Sequence, residues 1–429
     1  MTTETQMNDH YDALESRDPE AREAALLAAL PVQLALAQAH TAAFASILAG
    51  VDAAGVTSRA ALARLPVTRK HELLDRQLAA RRAGGDPFGG FAAVGWGAIA
   101  HAGRAALRVF QSPGPIYEPE GRRADYWRMA RALHAAGFRA GDLVHNSFGY
   151  HLTPAGSMME TAAHALGCTV FPGGVGNTEL QLQALAELRA VAYVGTPSFL
   201  RILLEKAEEL GIALPALTRA SVGGEAFPAP LRDWFGARGI HAFQSYGTAD
   251  LGLVAYETEA REGLVLDEGV ILEIVRPGSG DPVPEGEVGE VVVTTLNPDY
   301  PLIRFGTGDL SAVLPGRCPT GRSNTRIKGW LGRADQTAKV RGMFVHPAQV
   351  AEIARRHAEV RKARLVVSGA MADDRMTLHA EVEAAPDGLA MRLAQTIRDV
   401  TKLRGEVELC APGSLPDDGK VIEDRRSLA

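Results

Sequence analysis

Several side chains in this 429-residue sequence stand in frames that could do chemistry. Asp309 lies in FGTGDL, beyond an expected strand, where a carboxylate can accept both hydroxyls of a ribose through charge-assisted bonds. Gly-Asp is ordinary turn chemistry, and that frame alone favours a turn aspartate. Lys420 lies in DDGKVIEDRR, a Gly-marked turn near the end of the chain. An ammonium held there can bridge a carboxylate and a phosphate and stabilise charge as it develops; most lysines are simply solvated. Gly223, Gly224 and Glu225 end another expected strand, and residues without side chains permit close backbone approach to a flat base. Phe148, Tyr150 and His151, around Gly149, offer an aromatic wall suited to an aryl carboxylate, with core packing as the competing reading. Tyr246 and Gly247 open the stretch SYGTAD, where the ring serves equally well as a buried strand-end aromatic.

The elements that must position these residues alternate from about 125 to 250. ADYWRMARALHAAG has helical periodicity, DLVHNSFGY is a strand candidate, PAGSMMETAAHALG a helix and CTVFP a strand. The series continues through ELQLQALAELRA, VAYVGTP, SFLRILLEKAEELG, RASVGGE and PAPLRDWFGARG, and HAFQSYGT closes it as a strand. Such alternation implies a largely parallel sheet covered on both faces, with ligands beyond the carboxyl ends of its strands. Those ends carry FGYH, PGGVGN, GTPS, GGEAF and SYGTAD. After 250, LVLDEGVILEIV and EVGEVVVTTL alternate apolar and polar residues and read as antiparallel β structure. From about 336 the order is αββαβ, a small α+β domain. Residues 18–50 read as one or two amphipathic helices. The fold class expected is therefore α/β: a large N-terminal region with a mostly parallel sheet and a β subdomain, followed by a small α+β domain.

Bulk composition narrows the function. Hydrophobic content of 46% with 22% charged residues is that of a globular protein large enough for more than one domain. A net charge of −6 gives no basic footprint for nucleic acid. Cys168, Cys318 and Cys410 form no C-x-x-C pair and no disulfide framework, which fits a reducing cytoplasm. No apolar run approaches the length of a membrane span, and MTTETQMNDHYD lacks the features of a signal peptide.

Four stretches taken together resemble the phenylacetate-CoA ligases of the adenylate-forming superfamily: SVGGEAFPAPLRDWF, PEGEVGEVVVTTLNPDYPLIRFGTGDLS, GRADQTAKVRGMFVHPAQV and SLPDDGKVIEDRR. AALARLPVTRKHELLDRQ and DPFGGFAAV echo the same family, so the resemblance covers nearly the whole chain. It implies two domains, 1–335 for acyl and nucleotide binding and 336–429 as a mobile lid, with Asp335 as the hinge. It assigns Asp309 to the ribose, Arg333 to the nucleotide, Lys420 to catalysis, and Gly223, Gly224, Glu225, Tyr246 and Gly247 to the adenine side. Phe148, Tyr150 and His151 then wall the acid pocket.

The sequence departs from that family where pyrophosphate is expected. The family's loop has Ser and Gly, two threonines and another glycine, whose N–H groups and hydroxyls hold phosphate oxygens. Here the stretch is Ser112-Pro113-Gly114-Pro115-Ile116-Tyr117-Glu118-Pro119, with three prolines that lack N–H donors and a carboxylate where phosphate would arrive. In SYGTAD the family's hydroxyl residue and magnesium-binding glutamate become Ala249 and Asp250, with Thr248 as the neighbouring hydroxyl that a slipped register would use. These losses direct the reading toward acyl transfer from an acyl-CoA to a carrier-protein phosphopantetheine thiol without ATP cleavage, with bound AMP or the Cys168 thiol as acyl carrier. Cys168 starts the CTVFP strand, at the end away from the expected site, which argues against it. The alternatives are ATP- and Mg²⁺-dependent ligation of an aryl or acyl acid to coenzyme A through an acyl-adenylate, and a non-catalytic binding role.

Overall fold

The computed structural model describes residues 9–99, 104–112, 115–336, 338–340, 343–369, 374–417 and 420–426. The chain divides into two compact units, Met1–Thr307 with Ala312–Gly329, and Gly308–Ser311 with Trp330–Ala429. The expected boundary after Asp335 falls inside the second unit, which begins at Trp330 and also takes the strand end Gly308–Ser311.

The alternating region of the first unit builds a parallel sheet in the order Thr169–Pro172, Leu143–Asn146, Ala192–Gly195, Arg219–Val222, His241–Thr248. Chain order reverses at Leu143–Asn146, whose two neighbours are the next strand on one side and the one after it on the other. Such a switch point opens a crevice beyond the carboxyl ends. The helices between strands are set by local chemistry. Pro197–Leu210 begins with Thr196 accepting from the Phe199 N–H at 3.3 Å, has proline at its first position, and stops at Gly211 with φ +66°. It buries Leu200, Leu203, Leu204 and Ala207 at helical spacing, each leucine contributing about 1.5–3 kcal/mol.

His241–Thr248, read as the end of the parallel series, has a double role. Through Gln244 it pairs parallel with Arg219–Val222; from Ser245 onward it pairs antiparallel with Gly252–Glu257, with a register shift between Tyr246 and Gly247. The sheet thus continues into an antiparallel edge of Leu264–Leu266, Arg326–Ile327 and Val313–Leu314. The expected helix over 124–137 is confined to Ala130–Ala135, because Asp125 and Arg128 adopt φ of +46° and +64°. Arg128 is held there by Asp267 at 2.7 Å and by the Leu251 and Leu253 carbonyls.

A second sheet contains Thr68–Arg69, Phe305–Ser311, Gly289–Thr295 and Val270–Val275. Apolar and polar residues alternate in the last two, and every residue of both is buried. The polar positions are neutralised: Glu273 binds Arg304 and Glu290 binds Arg69. Arg304 also donates to the Ala63, Leu65 and Gly280 carbonyls, so it is a structural tie.

The second unit follows the expected αββαβ order, with helices Pro347–Arg355 and Leu389–Thr401 and strands Val360–Ser368, Arg375–Val382 and Glu406–Cys410. Two elements beyond that pattern are a hairpin, Ala338–Val340 with Met343–Val345, and an edge strand, Ile422–Asp424, parallel to Val360–Ser368. Among the described residues no helix is long and apolar enough to cross a membrane.

Candidate active site

The altered stretch Ser112–Pro119 falls in a hairpin whose strands are Arg108–Ser112 and Ile116–Glu120. Pro113 and Gly114 lie outside the described residues. Strand alternation places Ile116 and Glu118 on the inner face and Tyr117 on the other. Glu118 is 0% exposed, so it does not confront an arriving phosphate as its charge alone suggested. It accepts from both the Ser112 hydroxyl and, at 3.2 Å, the Ser112 N–H. Ser112, read as a surviving phosphate ligand, is therefore committed within the protein. Burial first, and then the Asp250 carboxylate, push the Glu118 carboxyl up to about 8.

Asp250 is buried beside it. One of its oxygens takes the Lys70 ammonium at 2.9 Å, and the other is buried without a partner. The Tyr300 hydroxyl is buried without a partner too, its ionisation pushed far upward by burial and then by Asp250 and Glu118. By resemblance Asp250 occupies the place of a magnesium-binding glutamate. Its surroundings do not suit an ion, because the side chain is 1% exposed and already ion-paired. Among the described residues no three His, Cys, Asp or Glu side chains gather as a metal site. Thr248 ends its strand with its hydroxyl accepting from the Leu251 N–H at 3.1 Å.

Helix Lys70–Arg82 braces this hairpin from one face, since Lys70, Gln77 and Arg81 recur at helical spacing. The Gln77 amide donates to the Tyr117 carbonyl at 2.9 Å and accepts from the Tyr117 N–H at 2.8 Å. Arg81 donates to the Pro115 carbonyl at 3.2 Å and lies 4.9 Å over the Tyr117 ring.

At the switch point the predicted acid-pocket residues are organised by Asn146, a residue that no sequence motif singled out. Its amide oxygen accepts from the Phe148 N–H at 3.1 Å, and its nitrogen donates to Tyr150 Oη and the Gly156 carbonyl, each at 2.8 Å. Burial, reinforced by Glu160, keeps the Tyr150 phenol protonated. His151 is exposed. Gly224 has φ +81°, and a Cβ there would stand 3.8 Å from both Phe148 and Thr196. The fold thus brings the acid-pocket and base-side segments together. Glu225 acts locally, accepting from the Ser198 N–H at 2.6 Å at the start of helix Pro197–Leu210. Tyr246 Oη donates to Thr307 Oγ1 at 3.2 Å, and Thr307 donates to the Val291 carbonyl, which orients the ring. A side chain on Gly247 would collide with the Gly252 carbonyl.

In the second unit Asp309 and Arg333 pair directly at 3.3 Å, and their backbones form a bridge. Trp330, another residue outside the sequence motifs' assigned roles, donates its indole N–H to the same Asp309 oxygen at 3.0 Å. Asp335 lies in the single turn Ala334–Gln336. Gln336 accepts from the Val421 N–H at 2.9 Å, which ties the backbone just after Lys420 to that turn. Lys420 itself is exposed. Cys168 is elsewhere: it precedes its strand, donates to the Arg139 carbonyl at 3.2 Å, and has its thiol pushed up to about 11 by burial and then Asp142. A thiol so protonated is a poor nucleophile at neutral pH.

Residues 150–297 match the AMP-binding enzyme family. The open conformation of 2-hydroxyisobutyryl-CoA ligase, in complex with 2-HIB-AMP and CoA, has the same fold, with a TM-score of 0.83 at 24% identity over 96% of this chain and 93% of that one. The phenylacetate-coenzyme A ligase of Thermus thermophilus is 32% identical over 317 residues, 70% of this chain and 67% of that protein. That of Aromatoleum evansii is 31% identical over 409 residues, 88% of each chain. At that identity along that length, this chain belongs to the phenylacetate-coenzyme A ligase family of adenylate-forming enzymes.

Proposed function

We propose that the protein is an acid–CoA ligase that uses ATP. A carboxylate oxygen attacks the α-phosphorus, the bond to pyrophosphate breaks, and an acyl-adenylate forms. The sulfur of coenzyme A then attacks the acyl carbon, AMP leaves, and the thiol proton passes to solvent. Asp309 holds the ribose, with Trp330 and Arg333 fixing one of its oxygens. Gly223, Gly224, Tyr246 and Gly247 form the base side, and Thr248 lies beside the phosphates. Phe148, Tyr150 and His151 wall the acid, an aryl group of benzoate or anthranilate type. Lys420 bridges the carboxylate and the α-phosphate, and Asp335 is the pivot of the second unit. The residues around Asp250 do not supply a protein-held metal, and no step is assigned to one.

The observation that carries this reading is the match along 88% of both chains to a protein named as a ligase. It displaces ATP-free transfer as the first reading, since the relatives it draws on are named as coenzyme A ligases. Transfer to a carrier-protein thiol keeps one observation in its favour: Ser112 is spent on Glu118 rather than offered to phosphate. The test is acid-dependent ATP–pyrophosphate exchange with phenylacetate, benzoate and anthranilate, followed by CoA-thioester formation. Exchange with one of these acids supports ligation. Thioester transfer from acyl-CoA to a holo-carrier protein, with no exchange for any acid, would replace it with the second reading.

A further inference from the structure

We infer that Arg81 is the cation this chain sets against the polyphosphate end of its nucleotide. The inference rests on the ligase reading and deepens it. The stretch Ser112–Pro119 has few N–H donors, because prolines stand at 113, 115 and 119. Its one serine hydroxyl is bound inward by Glu118. On the helix and the hairpin, Lys70 is neutralised by Asp250 at 2.9 Å, and Arg108, at the end of the hairpin away from the turn, by Glu120 at 3.0 Å. Arg81 differs. Among the described residues its guanidinium meets neutral acceptors, the Gln77 amide oxygen at 3.2 Å and the Pro87 and Pro115 carbonyls at 3.5 and 3.2 Å. Among the described residues no carboxylate pairs with it.

Its position is set by two further contacts. It lies over the face of Tyr117, and it springs from the same helix face that holds the Tyr117 backbone through Gln77. A half-buried guanidinium with no counter-charge among the described residues, fixed on the Pro115 carbonyl, retains donor geometry for a planar pair of phosphate oxygens. The ligand class is a nucleoside polyphosphate or pyrophosphate. AMP, which ends at the α-phosphate, makes no demand on this residue.

The test is equilibrium binding of ATP, AMP and inorganic pyrophosphate to the full-length protein and to its Arg81→Met and Arg81→Lys variants, with thermal melts alongside. Arg81→Met is expected to weaken ATP and pyrophosphate roughly tenfold or more, the scale of one lost charge-assisted bond, while leaving AMP affinity unchanged. Arg81→Lys should recover part of that loss. An ATP-to-AMP affinity ratio equal in all three proteins would overturn the inference, whatever the melts show, and would leave Arg81 as a brace of the hairpin. Pyrophosphate exchange by the unmodified protein separates the two claims. Exchange with an unmoved ratio leaves the ligase and removes the cation; a moved ratio without exchange keeps the cation and removes the ligase.

Discussion

Glu118 and Asp250 show how far a carboxylate's role depends on which way it points. Glu118 takes its proton at about 8 in the folded chain against an ordinary 4.5. Between those values the folded chain holds a proton that the unfolded chain has released. Its contribution to stability is therefore complete below about pH 4.5 and is lost as pH rises through about 8. Glu118→Gln keeps the shape and removes the titration, so melts taken between about pH 5 and 8 should decline less steeply than those of the unmodified protein. Equal slopes would mean that Glu118 is ionised in the fold. Asp309 yields a second prediction. Its replacement by alanine should weaken AMP binding by roughly 1.5–3 kcal/mol, the worth of hydrogen bonds to a charged group, with little change in melting temperature. Trp330→Phe removes only the indole donor that steadies it and should cost about 0.5–1.5 kcal/mol of the same affinity. A large stability loss in Asp309→Ala with AMP binding intact would return the residue to turn chemistry. The FGTGDL and GKVIEDRR frames stand out in the sequence because each is a run of neighbouring residues. The inward turn of Glu118 was not, because a single residue of strand register decides it.

At the scale of elements, the hairpin and the helix behind it form one device. Gln77 is 0% exposed and satisfies both backbone groups of Tyr117. Gln77→Leu leaves those groups without a partner, each costing about 1–3 kcal/mol, so a clear drop in denaturation midpoint is expected. A midpoint within error of the unmodified protein would show that the hairpin stands without its brace. The helices and parallel strands were readable from periodicity, since caps such as Thr196 and stops such as Gly211 mark their ends in the sequence itself. The segment 124–137 imitates a longer helix than it forms, because Asp125 and Arg128 turn left-handed. Arg128 is drawn out of helical geometry by Asp267 and two strand carbonyls far along the chain. The burial of the polar residues in Val270–Val275 and Gly289–Thr295 is not visible in the sequence, because the arginines that neutralise Glu273 and Glu290 are remote in it.

At the scale of the whole molecule, each unit has a core of its own, and that of the second gathers residues from its helices and its strands alike. A chain ending at Gly329 keeps the clusters around Leu30, Trp127 and Leu200 intact, so it should melt in one cooperative transition by calorimetry while making no thioester. A non-cooperative melt would show that the first unit depends on the second. The sequence alone determined the α/β class, the αββαβ order at the end of the chain and the family, because periodicity, capping and short motifs are properties of neighbouring residues. Tertiary structure decided the charges. It brought Lys70 onto Asp250, hid Glu118 under the loop it was expected to guard, and set Arg81 on the turn. The Lys70 and Arg81 pairings join residues far apart in the chain, that of Glu118 depends on the register of a hairpin, and whether a carboxylate is paired, neutral or exposed follows from burial and partners that only the folded chain assembles.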